Sequence, residues 1–147
     1  MAGEVIREYG AWVDLEANGA SISNNAFAEA DDAGFSLTTN GGDRPHLQFE
    51  LEATYSVAPT AGAAIALHHA PQDLFGGVND GRVPSANNLG GWLYNAVIEN
   101  TTTTQRWRFD VLMAPTDSKY WLQNVAAGQT ISAGWKLRAR AFSFKVA

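Results

Sequence analysis

The chain contains no cysteine among its 147 residues. Disulfides, cysteine-based zinc sites and thiol catalysis are therefore excluded, and the composition fits synthesis in a reducing cytosol. No stretch approaches the roughly 18 consecutive apolar residues of a membrane span, so we expect no membrane partner. Residues 1–9 lack the charged start and apolar run of a signal peptide, so we expect no export signal.

Basic charge is also scarce. Ten Lys and Arg residues stand against 15 Asp and Glu, which gives a formal net charge of −5. Nucleic-acid binding needs a clustered basic surface, so we do not expect nucleic acid as a partner. Glycine-rich phosphate loops, nucleophile elbows and His-Glu-x-x-His runs are missing from the sequence. We therefore predict that the chain is not an enzyme and uses no cofactor or metal.

Short alternating runs bounded by Gly, Asn, Pro and Thr take the place of helical patterns. The clearest run is 46–54, where Leu47, Phe49, Leu51 and Ala53 share one face and polar residues share the other. Similar runs cover 9–16, 18–28, 35–39, 61–67, 92–98, 105–113, 119–125, 129–132 and 135–144. This spacing predicts an all-β fold, an antiparallel β-sandwich of jelly-roll-like type, in a single domain spanning 1–147.

The positions of the tryptophans within these runs separate core residues from surface residues. Trp107 and Trp135 alternate in phase with apolar neighbours, so we expect both to lie in the core. Trp121 lies on the polar face of its run, opposite its apolar neighbours, and Trp92 borders a long loop at 70–91. We therefore expect Trp92 and Trp121 to be accessible, either as a sugar-stacking platform or as anchors in a protein interface.

Basic residues cluster on two strand faces. Lys136, Arg138 and Arg140 share one face of the last run, and Arg106 and Arg108 share one face of an earlier run. One interpretation is nucleic-acid binding, and a better one is cross-strand pairing with acidic faces. A third is an interface in which charge ladders set the choice of partner. The candidate acidic partners are Glu50 and Glu52, or Asp14 and Glu16.

Three weaker patterns resemble chemical sites. His68 and His69, followed by Asp73, contain zinc-ligand types, but adjacent strand residues point to opposite faces, which favours a structural role. The loop from Asp73 to Asp80 contains oxygen ligands without the spacing of a calcium loop, which favours a simple turn. In the run 46–54, Glu50 and Glu52 lie about 7 Å apart along one face, near the separation of paired glycosidase acids. Such a pair also arises by chance on any polar face.

Two apolar segments lie outside the alternating runs. Leu74, Phe75 and Val78 lie in the long loop, and Val5 and Ile6 lie in a short N-terminal segment. We expect the loop residues either to pin the loop to its own domain or to meet a neighbouring chain, and the N-terminal segment to reach a neighbour, because covering exposed apolar groups is favourable. Residues 1–8 are accordingly predicted to form an N-terminal arm.

The C-terminal third carries a resemblance to a known class. Ala114-Pro115, the run 119–124 and the run 128–137 resemble small virion proteins encoded in the structural clusters of tailed phages. The segments 26–32 and 35–39 resemble the earlier part of the same pattern. The resemblance implies a β-sandwich or jelly-roll subunit that decorates or cements a capsid, often at symmetry axes, although related folds also occur in tails.

We therefore expect a phage capsid decoration or cement protein that is assembled in the host cytoplasm and located in the virion. Its expected partners are the major capsid protein or other virion proteins, together with copies of itself. A trimer is favoured, because closed symmetry buries exposed sheet edges. Two alternatives remain open, a carbohydrate-binding module displayed on a particle for host attachment and a tail or baseplate component.

Overall fold

The computed structural model describes residues 3–35, 44–71, 83–88, 91–112 and 118–147. Every regular element in these ranges is a β-strand, and no described helix is long and apolar enough to cross a membrane. The nine strands are β1 (Val5–Tyr9), β2 (Val13–Gly19), β3 (Phe27–Phe35), β4 (His46–Ala53), β5 (Ala64–Pro71), β6 (Trp92–Val97), β7 (Gln105–Val111), β8 (Ser118–Val125) and β9 (Trp135–Val146).

The strands form two antiparallel sheets. The five-stranded sheet has the order β1-β9-β4-β7, and β2 also pairs with β9. The four-stranded sheet has the order β3-β8-β5-β6. Strands β2 to β9 thus follow the strand order of a jelly roll, and β1 is an extra strand. The fold class predicted from the sequence, an antiparallel jelly-roll sandwich, is confirmed.

The core lies between the sheets and is built from the inward faces of the alternating strands. The apolar positions of β4 are all buried, as their alternation predicts. Phe49 of β4 stacks on Phe109 of β7 at 5.5 Å between ring centroids, and its edge meets Tyr120 of the opposite sheet at 5.3 Å. Trp135 is fully buried, as predicted, and Trp107 is partly buried against the core.

Several strand boundaries differ from the predicted ones. The expected strand at 18–28 is replaced by β3, which begins after a turn at Asn25, where φ is +62°. A side-chain amide tolerates this left-handed backbone, so the turn displaces the strand. Of the strand expected at 35–39, all but Phe35 lies outside the described residues. The short strand expected at 129–132 is reduced to isolated bridges from Ile131 to Ile22 and Tyr55.

The predicted N-terminal arm is corrected to a strand. Residues 5–9 form β1, which pairs antiparallel with the C-terminal half of β9 from Val5↔Val146 to Tyr9↔Phe142. The physical reason is the length of β9, which has 12 residues. Strand β2 pairs with its first half only, so the remaining backbone groups on that edge take β1 as their partner.

Candidate functional site

A groove of about 850 Å³ lies on the outer face of the five-stranded sheet. Four neighbouring strands, β2, β4, β7 and β9, supply its walls, so it runs across the sheet. Most of the lining side chains are charged, and both signs are present. The lining consists of Asp14, Glu16, Ala17, Glu50, Leu51, Glu52, Arg106, Trp107, Arg108, Lys136, Leu137 and Arg138.

One row of charges crosses the groove through Glu50. This residue is opposite Arg108 of β7 on one side and Arg138 of β9 on the other. Nε of Arg108 donates to Oε1 at 2.8 Å, and Nε of Arg138 donates to Oε2 at 2.6 Å. Each carboxylate oxygen thus accepts from a different guanidinium, and the row ties three adjacent strands together.

A second row, parallel to the first, crosses through Glu52. Nε of Arg106 donates to Oε2 at 2.7 Å, and Nζ of Lys136 lies 3.6 Å from Oε1. The cross-strand pairing predicted for the basic residues is therefore confirmed for Arg106, Arg108, Lys136 and Arg138. Whether these residues also contact a partner protein stays a prediction.

The two glutamates are held ionised by their partners. Burial alone would raise the pKa of Glu50, but the hydrogen bonds from Arg108 and Arg138 outweigh it and place the pKa below its usual value. The hydrogen bond from Arg106 lowers the pKa of Glu52 against a smaller effect of burial. A glycosidase needs one carboxyl with a raised pKa as its general acid, so this pair does not fit that role.

Aromatic rings continue the charged face beyond the groove. The guanidinium groups of Arg138 and Arg140 both lie 4.5 Å from the ring centroid of Trp12. Arg140 also lies 3.6 Å from the ring of Tyr9 and donates from Nε to Gln48 at 3.0 Å. The predicted partner of Arg140 is thus replaced by aromatic faces and an amide oxygen.

Three acidic side chains gather beside the groove where β2 approaches β3. Ligand oxygens of Glu16, Asp31 and Asp32 lie within 4.8 Å of one another. Glu16 Oε1 accepts from the backbone N–H of Asn18 at 2.9 Å, and Asp32 Oδ2 accepts from that of Ala17 at 2.6 Å. Register shifts in β2 leave these backbone groups without regular partners, so the cluster is explained by backbone satisfaction.

The two adjacent histidines point to different partners on opposite faces of β5. His68 Nε2 pairs with Gln123 Oε1 at 3.1 Å, and His69 Nδ1 pairs with the carbonyl of Gly91 at 3.1 Å. Burial lowers the pKa of both imidazoles. The structure therefore does not bring the two rings together at one site. Asp73 and the candidate calcium loop up to Asp80 lie outside the described residues.

The predicted sugar-stacking pair is not formed. Trp92 is 53% exposed, and its Nε1 donates to Asn95 Oδ1 at 2.9 Å. Trp121 is only 6% exposed, so the expectation that it is accessible was wrong. It lies in the inner strand β8, and Glu29 of β3 and His68 of β5 are its direct neighbours on that face. Alternation identifies the face of a strand residue, but it does not show how the neighbouring strands cover it.

The predicted interface residues Val5 and Ile6 are exposed on β1. They belong to a set of exposed apolar side chains at the β1–β9 edge, which we call the β1 patch. Val5, Tyr9, Phe144 and Val146 share one face of the sheet, and Ile6 lies on the opposite face, paired with Lys145. The sequence reasoning missed Tyr9, Phe144 and Val146, although the alternation of residues 142–146 was a signal for Phe144 and Val146. Leu74, Phe75 and Val78 lie outside the described residues.

Comparisons with known proteins leave the family open. No family model matches the chain, and no curated protein matches it. Among solved structures, a chain described as "CBM4 structure and function" is similar, at 8% identity and a TM-score of 0.37, over 92% of this chain and 84% of that one. The K1 cleaved adhesin domain of Lys-gingipain from Porphyromonas gingivalis W83 is similar at 10% identity and a TM-score of 0.31, over 99% of both chains. These values are too low to assign a function, and the comparisons supply no link to phage virion proteins.

Proposed function

We propose that this chain is a non-catalytic structural subunit, a decoration or cement protein of a tailed-phage capsid, which acts by binding neighbouring subunits through the β1 patch. The exposure of this patch is the observation that carries the proposal. The sequence resemblance to phage virion proteins gives the kind of assembly. The proposed partners are the major capsid protein or other virion proteins.

The patch combines apolar side chains with an open sheet edge. Val5 and Val146 face each other across the β1–β9 pair and are 63% and 68% exposed. Among the described strands, none pairs with the outer edge of β1. Its unpaired N–H and C=O groups therefore lie beside an apolar surface, a combination that soluble proteins usually protect. Contact with another subunit satisfies both features together.

A decoration role also matches the size of the patch. Five exposed side chains on one short strand pair give a modest contact for each copy. Weak contacts become effective when many copies bind a repeating lattice, or when copies joined in one oligomer bind together. A trimer around a symmetry axis, the state expected from the sequence, would supply such multivalency and cover exposed edges.

The proposal is tested with capsid particles produced in the absence of this chain. Purified chain is added, and the particle-bound fraction is measured by cosedimentation. The double variant Val5→Lys/Val146→Lys should lose most of the binding, because it places two ammonium groups side by side in one apolar contact. Val57→Lys, at a 56% exposed valine away from β1, is the matched control and should bind normally.

Two outcomes would count against a decoration role. One is full binding by the double variant of the β1 patch, and the other is the absence of any binding by the unaltered chain. Labelled chain seen on tails by electron microscopy would instead support the tail or baseplate alternative, which uses the same kind of contact.

A second candidate function is a carbohydrate-binding module displayed on a particle for host attachment. The groove on the five-stranded sheet favours it, because its volume of about 850 Å³ falls in the usual range for ligand sites. Its charged lining offers many hydrogen-bonding groups. Backbone NMR shifts on titration with oligosaccharides test this candidate. Shifts at β4, β7 and β9 would support it, whereas shifts confined to the surroundings of Trp92 would exclude the groove.

A further inference from the structure

We infer that the groove binds an acidic polysaccharide, one that carries carboxylate or sulfate groups, through the exposed guanidinium groups of Arg106 and Arg108. This inference rests on the second candidate function, carbohydrate binding in the groove, and names the class of ligand. It does not depend on the β1 patch.

The first argument is the depth at which each sign of charge lies. The side chains of Glu50 and Glu52 are only 20% and 30% exposed, whereas those of Arg108 and Arg106 are 59% and 70% exposed. The side chain of Lys136 is also largely exposed, at 60%. A ligand that enters from solvent on the β7 side of the groove therefore meets cationic groups first and finds the carboxylates of Glu50 and Glu52 below them, already engaged.

The second argument is the charge of each row. Each row contains two cations and one carboxylate, so each has a net charge of +1. The other two acidic side chains of the lining, Asp14 and Glu16, belong to β2 at the other end of the groove, where Asp14 is opposite Arg138, so the charges of the whole lining sum to zero. The β7 side of the groove is therefore positive and the β2 side is negative. A neutral sugar gains little from this polarity, whereas an acidic sugar is oriented by it.

The third argument is the free hydrogen-bonding capacity of the two arginines. Arg106 donates to Glu52 through Nε, and Arg108 donates to Glu50 through Nε and Nη2. Within the described chain, Nη1 of neither residue takes part in a hydrogen bond. A guanidinium that is fixed on one edge and open on the other is pre-organised for carboxylate or sulfate oxygens. The two groups lie two residues apart on β7, about 7 Å along the strand, so they can receive successive acidic groups of one polymer.

The lining also favours a sugar over a peptide. Leu51 and Leu137 contact the groove but have their side chains buried in the core, so they offer no apolar pocket. Peptide recognition normally uses such pockets for specificity. Trp107 also turns its side chain inward, where its Nε1 donates to the carbonyl of Val97 in the opposite sheet at 3.0 Å, so it offers no aromatic face to the groove. A polar, hydroxyl-rich polymer matches this surface better.

The test uses two matched pairs of ligands and isothermal calorimetry on the purified chain. Oligogalacturonate is compared with its methyl-esterified form, and sulfated dextran oligomers with unsulfated ones. We expect at least one acidic ligand to bind at least tenfold more tightly than its neutral counterpart, and the difference to shrink as salt is added. The double variant Arg106→Gln/Arg108→Gln should lose at least tenfold of the acidic binding.

Two further variants control for charge and folding. Arg106→Lys/Arg108→Lys keeps the charge and should retain more binding than the glutamine variant. Lys119→Gln removes a cation that is paired with Glu29 on the other sheet, 3.1 Å away, and should bind normally. Circular dichroism confirms that each variant is folded.

The remaining outcomes separate this inference from the function on which it rests. Equal binding of acidic and neutral ligands in the groove would overturn the acidic class and keep carbohydrate binding. Acidic binding that survives in the glutamine variant would overturn the assignment to Arg106 and Arg108. No binding of any of the four ligands would overturn both and leave the β1 patch proposal standing.

Discussion

The hydroxyl of Tyr55 donates a hydrogen bond to Oδ1 of Asn124, 3.0 Å away, and both residues are fully buried. Nδ2 of Asn124 in turn donates to the carbonyls of Ile22 at 3.0 Å and Gln129 at 2.7 Å. One side chain thus satisfies three polar groups from distant parts of the chain. It fixes one end of the sandwich where no regular strand pairing is available.

Replacing this asparagine should destabilise the fold strongly. Asn124→Leu leaves the Tyr55 hydroxyl and the Gln129 carbonyl without this partner, whereas the Ile22 carbonyl keeps the N–H of Ile131 at 2.9 Å, so we expect a loss on the order of 3 kcal/mol in the free energy of unfolding. Tyr55→Phe removes only the first bond and should cost about 1 kcal/mol. Urea unfolding monitored by tryptophan fluorescence measures both values. Equal losses in the two variants would show that the carbonyl contacts do not matter.

Much of the fold could be predicted because its strands are amphipathic. In β4 the apolar residues alternate strictly, and the buried positions follow them one by one. Trp135 was assigned to the core for the same reason. The role of Asn124 could not be predicted, because a polar residue on an inward face contradicts the alternation unless its distant partners are known. The pairing of β1 with β9 was missed because its residues are all exposed and give no burial pattern.

A second stability prediction concerns the close approach of β2 to the core. A Cβ atom at Gly19 would overlap the ring of Trp135, which is fully buried and donates from Nε1 to the carbonyl of Ala20 at 2.7 Å. Gly19→Ala should therefore cost about 1–3 kcal/mol, the usual range for overpacking. Gly34→Ala is the control, because its nearest neighbour would be the carbonyl oxygen of Ser118 at an ordinary 3.5 Å. Thermal unfolding of both variants measures these costs. A Gly19→Ala variant as stable as the parent would contradict the close contact between Gly19 and the ring of Trp135.

The buried histidines predict a loss of stability in mild acid. Burial lowers the pKa of His68 and of His69 below the usual 6.5, so the folded state resists protonation while the unfolded state does not. Their stabilising effect is complete above pH 6.5 and is lost progressively as the pH falls below that value. Unfolding free energies measured from pH 7.5 to about 5, above the range where carboxyl groups titrate, test this dependence.

Variants assign this pH dependence to particular residues. His68→Gln can keep a polar contact with Gln123 but cannot titrate, so its stability should fall less steeply with acid than that of the parent. The double variant His68→Gln/His69→Gln should show the smallest slope of the three. Identical slopes in the parent and the double variant would mean that other groups cause the pH dependence.

The candidate site was predictable in part. The shared faces of Lys136, Arg138 and Arg140, and of Arg106 and Arg108, follow from alternation alone. Which acidic strand lies between the two basic ones depends on strand order, and that order is set by long-range pairing that a single sequence does not reveal. For this reason the groove, which needs four strands in the correct order, could not be identified from the sequence.

The last prediction concerns Trp12, which contacts two arginines at once. Both guanidinium groups, of Arg138 and Arg140, lie 4.5 Å from its ring centroid, and each such contact is worth about 0.5–1 kcal/mol at a partly exposed site. Trp12→Ala should therefore destabilise the chain by about 1–2 kcal/mol, whereas Trp12→Phe keeps an aromatic face and should lose less. Urea midpoints of the two variants provide the measurement. If alanine and phenylalanine give the same loss, the contribution comes from hydrophobic contact area or strand entry and not from the cation–π contacts.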